Sequence, residues 1–525
     1  MEYQHANQWE DGQESAEDLP LRARQLLSRS SLIIASNRGP VEFHLEPDGH
    51  FSAKRGSGGV VTAVSAVSRF AHPIWVASAM TDGDRLRARR AEAEGEVVIT
   101  PPDSDFRLRF VLLDPEVYDR YYNQISNPLL WFLQHYLWDV PRSPDITDST
   151  WQAWWDGYVV ANQQFADEIV AAADVSRRPP LVMLQDYHLY LAPGFIRNLR
   201  PDLVLQHFIH IPWPDPDYWR LLPKPMRQSI FQSLLANDVV GFQTPAFARS
   251  FMYTCEVNLD GVDLDYRGRE VHYQGHTTRV RDYPISIDTA AVKNTAASED
   301  ALRHEEHLEQ FRNEFTIIRV DRAEPSKNIV RGFLAYDRFL EKHAEFLGRV
   351  NFLAFLVPSR LEVSEYVDYL DDISTIVGRI NTKYADVAER DGVAWQPVTL
   401  FIGDDYPRAM AAMKDYDVLL VNAILDGMNL VAKEGALLNR RDGVLVLSEG
   451  TGAFQQFAGH ALTVSPTDIE GTADALFQAL TMPRSQRAAR AHELRKIVLE
   501  QNIVGWIYNQ LEDLAAITGD TVASG

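Results

Sequence analysis

The chain has 525 residues, 46% hydrophobic and 24% charged, which is ordinary globular composition on a length that calls for two to four cores rather than one. A formal charge of −22, from 73 acidic against 51 basic residues, argues against nucleic acid or an anionic membrane as the main partner, because both need a basic surface. Cys255 is the only cysteine, which excludes an intrachain disulfide and a cysteine-based zinc site.

The histidines are scattered without HExxH-type spacing, so no metal site is read. The first twenty residues are acidic and lack a basic-then-apolar export pattern. No run of about 18 apolar residues could span a membrane. The expectation is a soluble, cytoplasmic protein.

Residues 1–28 are polar and acidic and are expected to be poorly ordered. "SLIIASNRGP" (31–40) reads as a buried strand stopped by Asn-Arg-Gly-Pro. A hairpin around Pro47-Asp48-Gly49 leads to the Gly-rich "KRGSGG" (54–59) and a helix in "GVVTAVSAVSRF". Further strands are expected at "IWVAS", "LVMLQD", "VLQHFIHIP" and "DVVGFQ", separated by helical patterns. "DYPISIDTAAVKN", from Asp282, reads as a short strand and a linker. A second alternation then runs through "FTIIRVDR", "VNFLAFLVPS", a long helix near 362–385, "VTLFIG", "DVLLVNAI", "GVLVLSEGTGA" and "ALTVSP". Strands alternating with helices predict mostly parallel sheets covered on both faces. The expected architecture is two facing doubly wound α/β domains, 29–282 and 283–500, with a closing helix in 501–525 that packs back on the first. Ligands in such sheets bind beyond the carboxyl ends of the strands.

Several segments carry chemistry at those ends. In "RVDRAEPSKNIVRGF", Arg322 and Lys327 follow a strand and lead into a helix. Two cations beside free N–H groups suit a diphosphate, and solvated surface cations are an equal alternative. "KRGSGG" is neither a Walker loop nor GxGxxG, and a plain turn explains it as well as a phosphate cover. Asp186 and His210 close two strands, near Pro-Trp-Pro; a hydrogen-bonded core histidine competes with a pocket. Tyr122 and Trp131 lie in "YYNQISNPLLWFLQHYLW", where an aromatic helix face is as readily core.

"LDGMNLVAKEGALL" sets Asp426 and Glu434 eight positions apart. At 1.5 Å per helical residue they stand ~12 Å from each other, beyond the roughly 5–9.5 Å of a glycosidase pair. Two contacts on one extended ligand fit better than an acid/base dyad.

Taken together, "SNR", "YYNQISNPLLW", "QDYHL", "HIPWP", "GFQT", "VDR…SK", "PSR", "INTKY" and "DGMNLVAKE", in order over about 31–515, resemble the trehalose-6-phosphate synthase family. These are retaining glycosyltransferases of the GT-B fold (family 20). The resemblance implies glucose transfer from a nucleotide diphosphate glucose, UDP-glucose foremost, to glucose 6-phosphate. The products are α,α-trehalose 6-phosphate and a nucleoside diphosphate. The same-fold alternatives are a glucosylglycerol-phosphate synthase and a pseudo-glycosyltransferase acting on an aminocyclitol phosphate. No cofactor and no metal are implied, a homo-oligomer is allowed, and no fused phosphatase segment is expected after the closing helix.

Residue by residue, the resemblance implies that Arg322 and Lys327 bind the donor diphosphate. Glu434 would hold the ribose and Asp426 the donor glucose, with the backbone of Gly427, Met428, Asn429 and Leu430 at the sugar and phosphate. His210 and Asp186 would stand beside the transferred glucose. Arg38, Tyr122, Trp131 and Arg360 would form the acceptor site, and Gly59 would close over the donor. The implied chemistry is front-face substitution in which the departing phosphate oxygen takes the acceptor's proton. Three features depart from the family pattern: Ser78 stands where a second Trp is common, residues 39–57 form a longer loop, and Ala-Glu-Pro replaces the commoner Leu-Asp-Tyr after Arg322.

Overall fold

The computed structural model describes residues 21–55, 71–102, 104–386 and 395–523. Gly59, most of the Gly-rich segment, the whole helix expected in 59–70 and residues 1–20 lie outside the described residues.

The strands in chain order are β1 (Ser31–Ser36), β2 (Val41–Leu45), β3 (Phe51–Arg55), β4 (Ile74–Ser78), β5 (Arg107–Val111), β6 (Pro180–Gln185), β7 (Val204–Phe208), β8 (Val239–Phe242), β9 (Asp263–Asp265), β10 (Glu270–Tyr273) and β11 (His276–Asp282). The second half adds β12 (Phe315–Arg322), β13 (Val350–Val357), β14 (Val398–Ile402), β15 (Val418–Val421), β16 (Val444–Ser448) and β17 (Leu462–Val464).

The first sheet has the order β5-β4-β1-β6-β7-β8-β11-β10-β9, and the second β14-β13-β12-β15-β16-β17. Pairing is parallel from β5 through β11 and throughout the second sheet; at one edge β10 is reversed and pairs antiparallel with both β11 and β9. The near-continuous apolar runs follow from this, because a parallel sheet buries both faces. Each sheet reverses its winding once, between β1 and β6 and between β12 and β15, which makes two topological switch points.

The β2–β3 hairpin stands apart and docks on the helix Asp82–Glu94. Phe43 N donates to Asp84 Oδ1 at 2.7 Å, and Thr81 Oγ1 to the Phe43 carbonyl at 2.6 Å. The last helix, Ile503–Ala523, packs on the first sheet. Trp506 Nε1 donates to the Tyr283 carbonyl at 3.1 Å, and Gln206 Nε2 to Gln510 Oε1 at 2.7 Å. Among the described residues no helix is long and apolar enough to cross a membrane.

Three sequence readings need correction. Residues Leu21–Arg29 form a helix, not a loose tail, because Ala23 and Leu26 join the core that contains Ile507 and Leu511. The segment after Asp282 is no free linker either. Ile285 and Ile287 are buried, Ile285 N donates to Gln243 Oε1 at 2.9 Å, and Lys433 Nζ donates to the Ile285 carbonyl at 2.7 Å. Strands β5, β9 and β10 were not anticipated: "RLRFV" and "DLDYRGREVHY" carry too many charges to read as strands; β5 and β9 are the two edges of the sheet, where charges reach water, and β10, one strand in, fully buries only Val271.

Candidate functional site

The charged residues gather where both sheets present their carboxyl ends. Asn37 and Arg38 follow β1, Asp186 follows β6, and His210 lies just past β7. From the second sheet, Arg322 ends β12 and Lys327 follows it, Arg360 follows β13, Asp426 follows β15, and Thr451 to Ala453 follow β16. Four of these turns place a non-glycine residue at positive φ: Asp186 at 71°, Asn328 at 57°, Arg360 at 49° and Asn429 at 79°. Such conformations cost roughly 1–3 kcal/mol each and persist only where surrounding contacts over-determine them.

Those contacts are visible. The loop after β12 is gripped from below by Arg319, a fully buried guanidinium paired to Asp321 at 2.8 Å. Its Nη2 donates to the Lys327 carbonyl at 3.0 Å and its Nη1 to that of Ile329 at 3.3 Å. Asn328 Nδ2 donates to the carbonyls of Asn422 and Pro466, and Asn422 Nδ2 donates back to the Asn328 carbonyl at 3.0 Å. Lys327 is thereby aimed at Asp426: Nζ stands 2.5 Å from Oδ2, and Asn429 Nδ2 donates to the same oxygen at 3.1 Å. Burial pushes the Asp426 carboxyl up, but Lys327 outweighs it and holds the group below the usual carboxylate range.

The expectation of free N–H groups at the helix following Lys327 is corrected. Ile329 N and Val330 N both donate to the Tyr369 hydroxyl, at 2.6 and 3.4 Å, so that helix start is already capped. The start of the helix Leu430–Leu438 lies closer to the cations, since Asp426 and Asn429 precede it directly. Asn429 caps it by accepting from Ala432 N at 3.1 Å. The turn 426–429 is zipped to 450–453 by Asp426 N to the Gly450 carbonyl (2.9 Å), Gly452 N to the Asp426 carbonyl (3.0 Å) and Ala453 N to the Met428 carbonyl (2.9 Å).

Glu434 sits further along that helix, half-buried, and accepts from the Tyr406 hydroxyl at 2.9 Å. Burial raises its carboxyl to about 7. It is not joined to Asp426 by any hydrogen bond among the described residues. The two carboxylates have separate partners, Tyr406 for Glu434 and Lys327 with Asn429 for Asp426.

On the facing sheet, Asp186 is buried and its Oδ1 accepts from His210 N at 3.3 Å. Burial pushes its carboxyl up to about 7, against the pull of two neighbouring backbone N–H groups and of Arg360 and Arg322. His210 is driven down to about 3 by burial, with His207 adding to the effect, so it is neutral. Its Nε2 lies 2.9 Å from Gln185 Oε1. With that oxygen accepting, Nε2 carries the proton and the Nδ1 lone pair is left to accept. Gly427 permits the two sheets to meet here, because a Cβ at that position would lie 1.9 Å from the His210 carbonyl oxygen.

Arg360 crosses between the sheets as well. Its guanidinium lies 4.8 Å over the Trp131 ring and 5.3 Å over that of Tyr366, with a hydrogen bond to the Tyr366 hydroxyl. It also donates to the Tyr187 hydroxyl at 3.4 Å. Trp131 is buried, so the core alternative for it is correct as far as packing goes, and the Arg360 guanidinium lies over its ring. Tyr122 stacks on His188 with 5.7 Å between ring centroids. Burial raises its hydroxyl, but Arg360 and then Arg38 outweigh that and lower it. Arg38, Tyr122 and Arg360 therefore form one cationic corner. Ser78, buried behind it, donates to Asn37 Oδ1 at 3.2 Å.

Sequence reasoning missed Glu324 and His135. Glu324 is fully buried between Arg322 and Arg360. His135 is packed 4.0 Å from the Trp131 ring, lowered to about 4 by burial and within the fields of Asp426 and Glu324. Glu324 lies inside a segment already marked for its cations; His135 had no signal beyond its place one turn after Trp131.

Comparisons with known proteins agree on one family. The model of glycosyltransferase family 20 matches residues 30–516. A trehalose-6-phosphate synthase of Mycobacterium marinum is 32% identical over 516 residues, covering 96% of this chain and 97% of that relative. The UDP-forming α,α-trehalose-phosphate synthase A of Dictyostelium discoideum is 30% identical over 497 residues, 93% of this chain, which spans 63% of that relative's length. Among solved structures, the E. coli protein bound with UDP-2-fluoro glucose superposes with TM-score 0.77 at 27% identity, over 93% of this chain and 99% of that one. A UDP-forming α,α-trehalose-phosphate synthase of Burkholderia xenovorans in complex with glucose-6-phosphate gives TM-score 0.77 at 27% identity, over 92% and 100%. With two facing parallel sheets of the GT-B kind and a family match across nearly its whole length, the chain belongs to glycosyltransferase family 20.

Proposed function

We propose that this protein transfers glucose from UDP-glucose to the anomeric hydroxyl of glucose 6-phosphate with retention, yielding α,α-trehalose 6-phosphate and UDP. The observation that carries the reading is the gathering of cations around Asp186. Arg322 and Arg360 both act on its carboxyl, Lys327 pairs with Asp426, and Arg38 joins Arg360 in acting on Tyr122. A donor diphosphate and an acceptor phosphate need two separate anion sites flanking one sugar.

In this reading the anomeric C–O bond of the donor breaks as negative charge grows on the diphosphate. Arg322, Lys327 and the start of the helix Leu430–Leu438 stabilise that charge without rearranging, which is where preorganised dipoles act most strongly. The acceptor hydroxyl attacks from the same face, and its proton passes to the departing phosphate oxygen. Asp426 and neutral His210 hold the donor glucose hydroxyls, and Glu434 the ribose. Asp186 stands beside the transferred sugar; Tyr122, Trp131, Arg38 and Arg360 position glucose 6-phosphate. The reading assigns the protein to the cytoplasm, where nucleotide sugars are available, and carries forward a homo-oligomer, which light scattering reads directly.

The test is incubation with glucose 6-phosphate and each of UDP-, ADP- and GDP-glucose, following nucleoside diphosphate release and assigning the product linkage by NMR. UDP release with an α,α-1,1-linked product is expected. Turnover only with glycerol 3-phosphate or a cyclitol phosphate would overturn the acceptor assignment.

A further inference from the structure

Glu324 is the fully buried carboxylate nearest both anion sites, and its contacts are unusual. Its Oε1 lies 3.2 Å from Arg322 Nη1, 3.4 Å from Arg360 Nη1 and 3.2 Å from Ser359 Oγ. Its Oε2 is buried with no hydrogen-bond partner among the described residues. A carboxylate retained for stability alone gains most by engaging both oxygens, typically with a bidentate arginine. Here two guanidiniums from two different strand ends converge on a single oxygen, and neither is held by a fork.

The backbone fixes that oxygen. Glu324 N donates to the Arg322 carbonyl at 2.8 Å, and Lys327 N to the Glu324 carbonyl at 3.0 Å. The carboxylate therefore cannot follow one arginine without moving the loop that carries Lys327. Each guanidinium has five N–H donors and spends one of its terminal nitrogens on Glu324. Arg322 is otherwise half exposed, and Arg360 faces Tyr122 and Trp131. Burial pushes the Glu324 carboxyl up, but Arg322, Arg360 and Lys327 outweigh it and keep the group ionised.

We propose that Glu324 is a positioning residue that fixes Arg322 and Arg360 at one separation, so that the donor diphosphate and the acceptor phosphate are read by a single rigid frame, an inference that rests on the transfer reaction proposed above. Its negative charge also offsets part of the cationic field, which weakens ground-state anion binding while keeping the two arginines oriented for the transition state. Charge and orientation then separate on mutation, because kcat responds to orientation and binding to net charge.

The experiment compares wild type with Glu324→Gln and Glu324→Asp, by steady-state kinetics in both substrates and by calorimetric titration with UDP and with inorganic phosphate. Glu324→Gln is expected to bind both anions about 3- to 10-fold more tightly while kcat falls more than about 30-fold, an opposite movement that simple loss of structure does not produce. Glu324→Asp keeps the charge but not the reach, so kcat falls about 3- to 10-fold with anion affinity unchanged. Thermal melting reads folding separately. Unchanged anion affinity and kcat within about threefold of wild type in Glu324→Gln would overturn the proposal; should that variant not fold, wild-type kcat in Glu324→Asp would do so. If wild type itself turns over no donor with glucose 6-phosphate, the transfer reading fails, while the anion titrations still decide the role of Glu324.

Discussion

Lys327 Nζ and Asp426 Oδ2 stand 2.5 Å apart, joining the loop after β12 to the loop after β15 across the switch point of the second sheet. The pair is mostly buried, so removing one partner leaves the other charge uncompensated. Lys327→Ala is expected to lower kcat about 10²- to 10³-fold, the scale of losing one preorganised electrostatic donor. Destabilisation of about 3–5 kcal/mol should accompany it. Steady-state kinetics beside urea melts separates the two effects; full turnover in a folded Lys327→Ala protein would remove Lys327 from the donor site.

Gly427 meets the His210 carbonyl with no room for a side chain. Gly427→Ala should force the facing sheets apart at the sugar-binding edge. We expect kcat to fall more than about 100-fold, the scale of a misplacement near 1 Å. Each sheet keeps its own core, so far-ultraviolet circular dichroism should stay unchanged. A crystal structure showing the alanine accommodated at the wild-type separation would sink the idea.

The buried Asp186 carboxyl predicts a pH-dependent stability difference. Its folded value of about 7 lies above the ordinary 3.8, so its contribution to stability is fully present below pH 3.8 and is lost as pH rises through 7. Asp186→Asn removes that loss. The variant's advantage should be smallest near pH 4 and should grow to about 2–4 kcal/mol at pH 8.5, from three units at 1.36 kcal/mol each, with allowance for partial solvation. Denaturant melts at the two pH values read the difference. His135, His207 and His210 act in the opposite sense, since values of about 4, 4 and 3 mean stability lost as pH falls below 6.5. They cancel when variant and wild type are compared at one pH.

Tyr406 donates to Glu434 Oε1 at 2.9 Å, and in the proposed reaction Glu434 holds the donor ribose. Tyr406→Phe keeps the ring and removes the hydroxyl. The donor KM should rise about 3- to 10-fold, the scale of one ordinary hydrogen bond, with kcat within twofold. An unchanged donor KM with a raised acceptor KM would place Tyr406 elsewhere in the reaction.

Much of the fold was legible because its signals are local. Apolar runs such as "SLIIAS" and "VNFLAFLV" have no reading other than buried parallel strands once helical patterns separate them, and the charges that follow them mark the carboxyl ends. The edge strand β9 and its neighbour β10 were not legible, because their charges reach solvent and leave no hydrophobic period. The helix Leu21–Arg29 was hidden for a related reason: its apolar partners, Ile507 and Leu511, lie at the other end of the chain.

By itself, then, the sequence determined the two-sheet architecture, the cations after β12 and the separation of Asp426 from Glu434, each a matter of residue type and spacing along one stretch of chain. Only the tertiary structure decided which groups share a field. Glu324 between Arg322 and Arg360, Tyr369 on the helix start meant for a phosphate, and Lys433 on the segment after Asp282 all depend on side chains brought together from distant strands. Burial then sets their charge, raising Asp186 and lowering His210, and burial is a property of the packed molecule rather than of any segment.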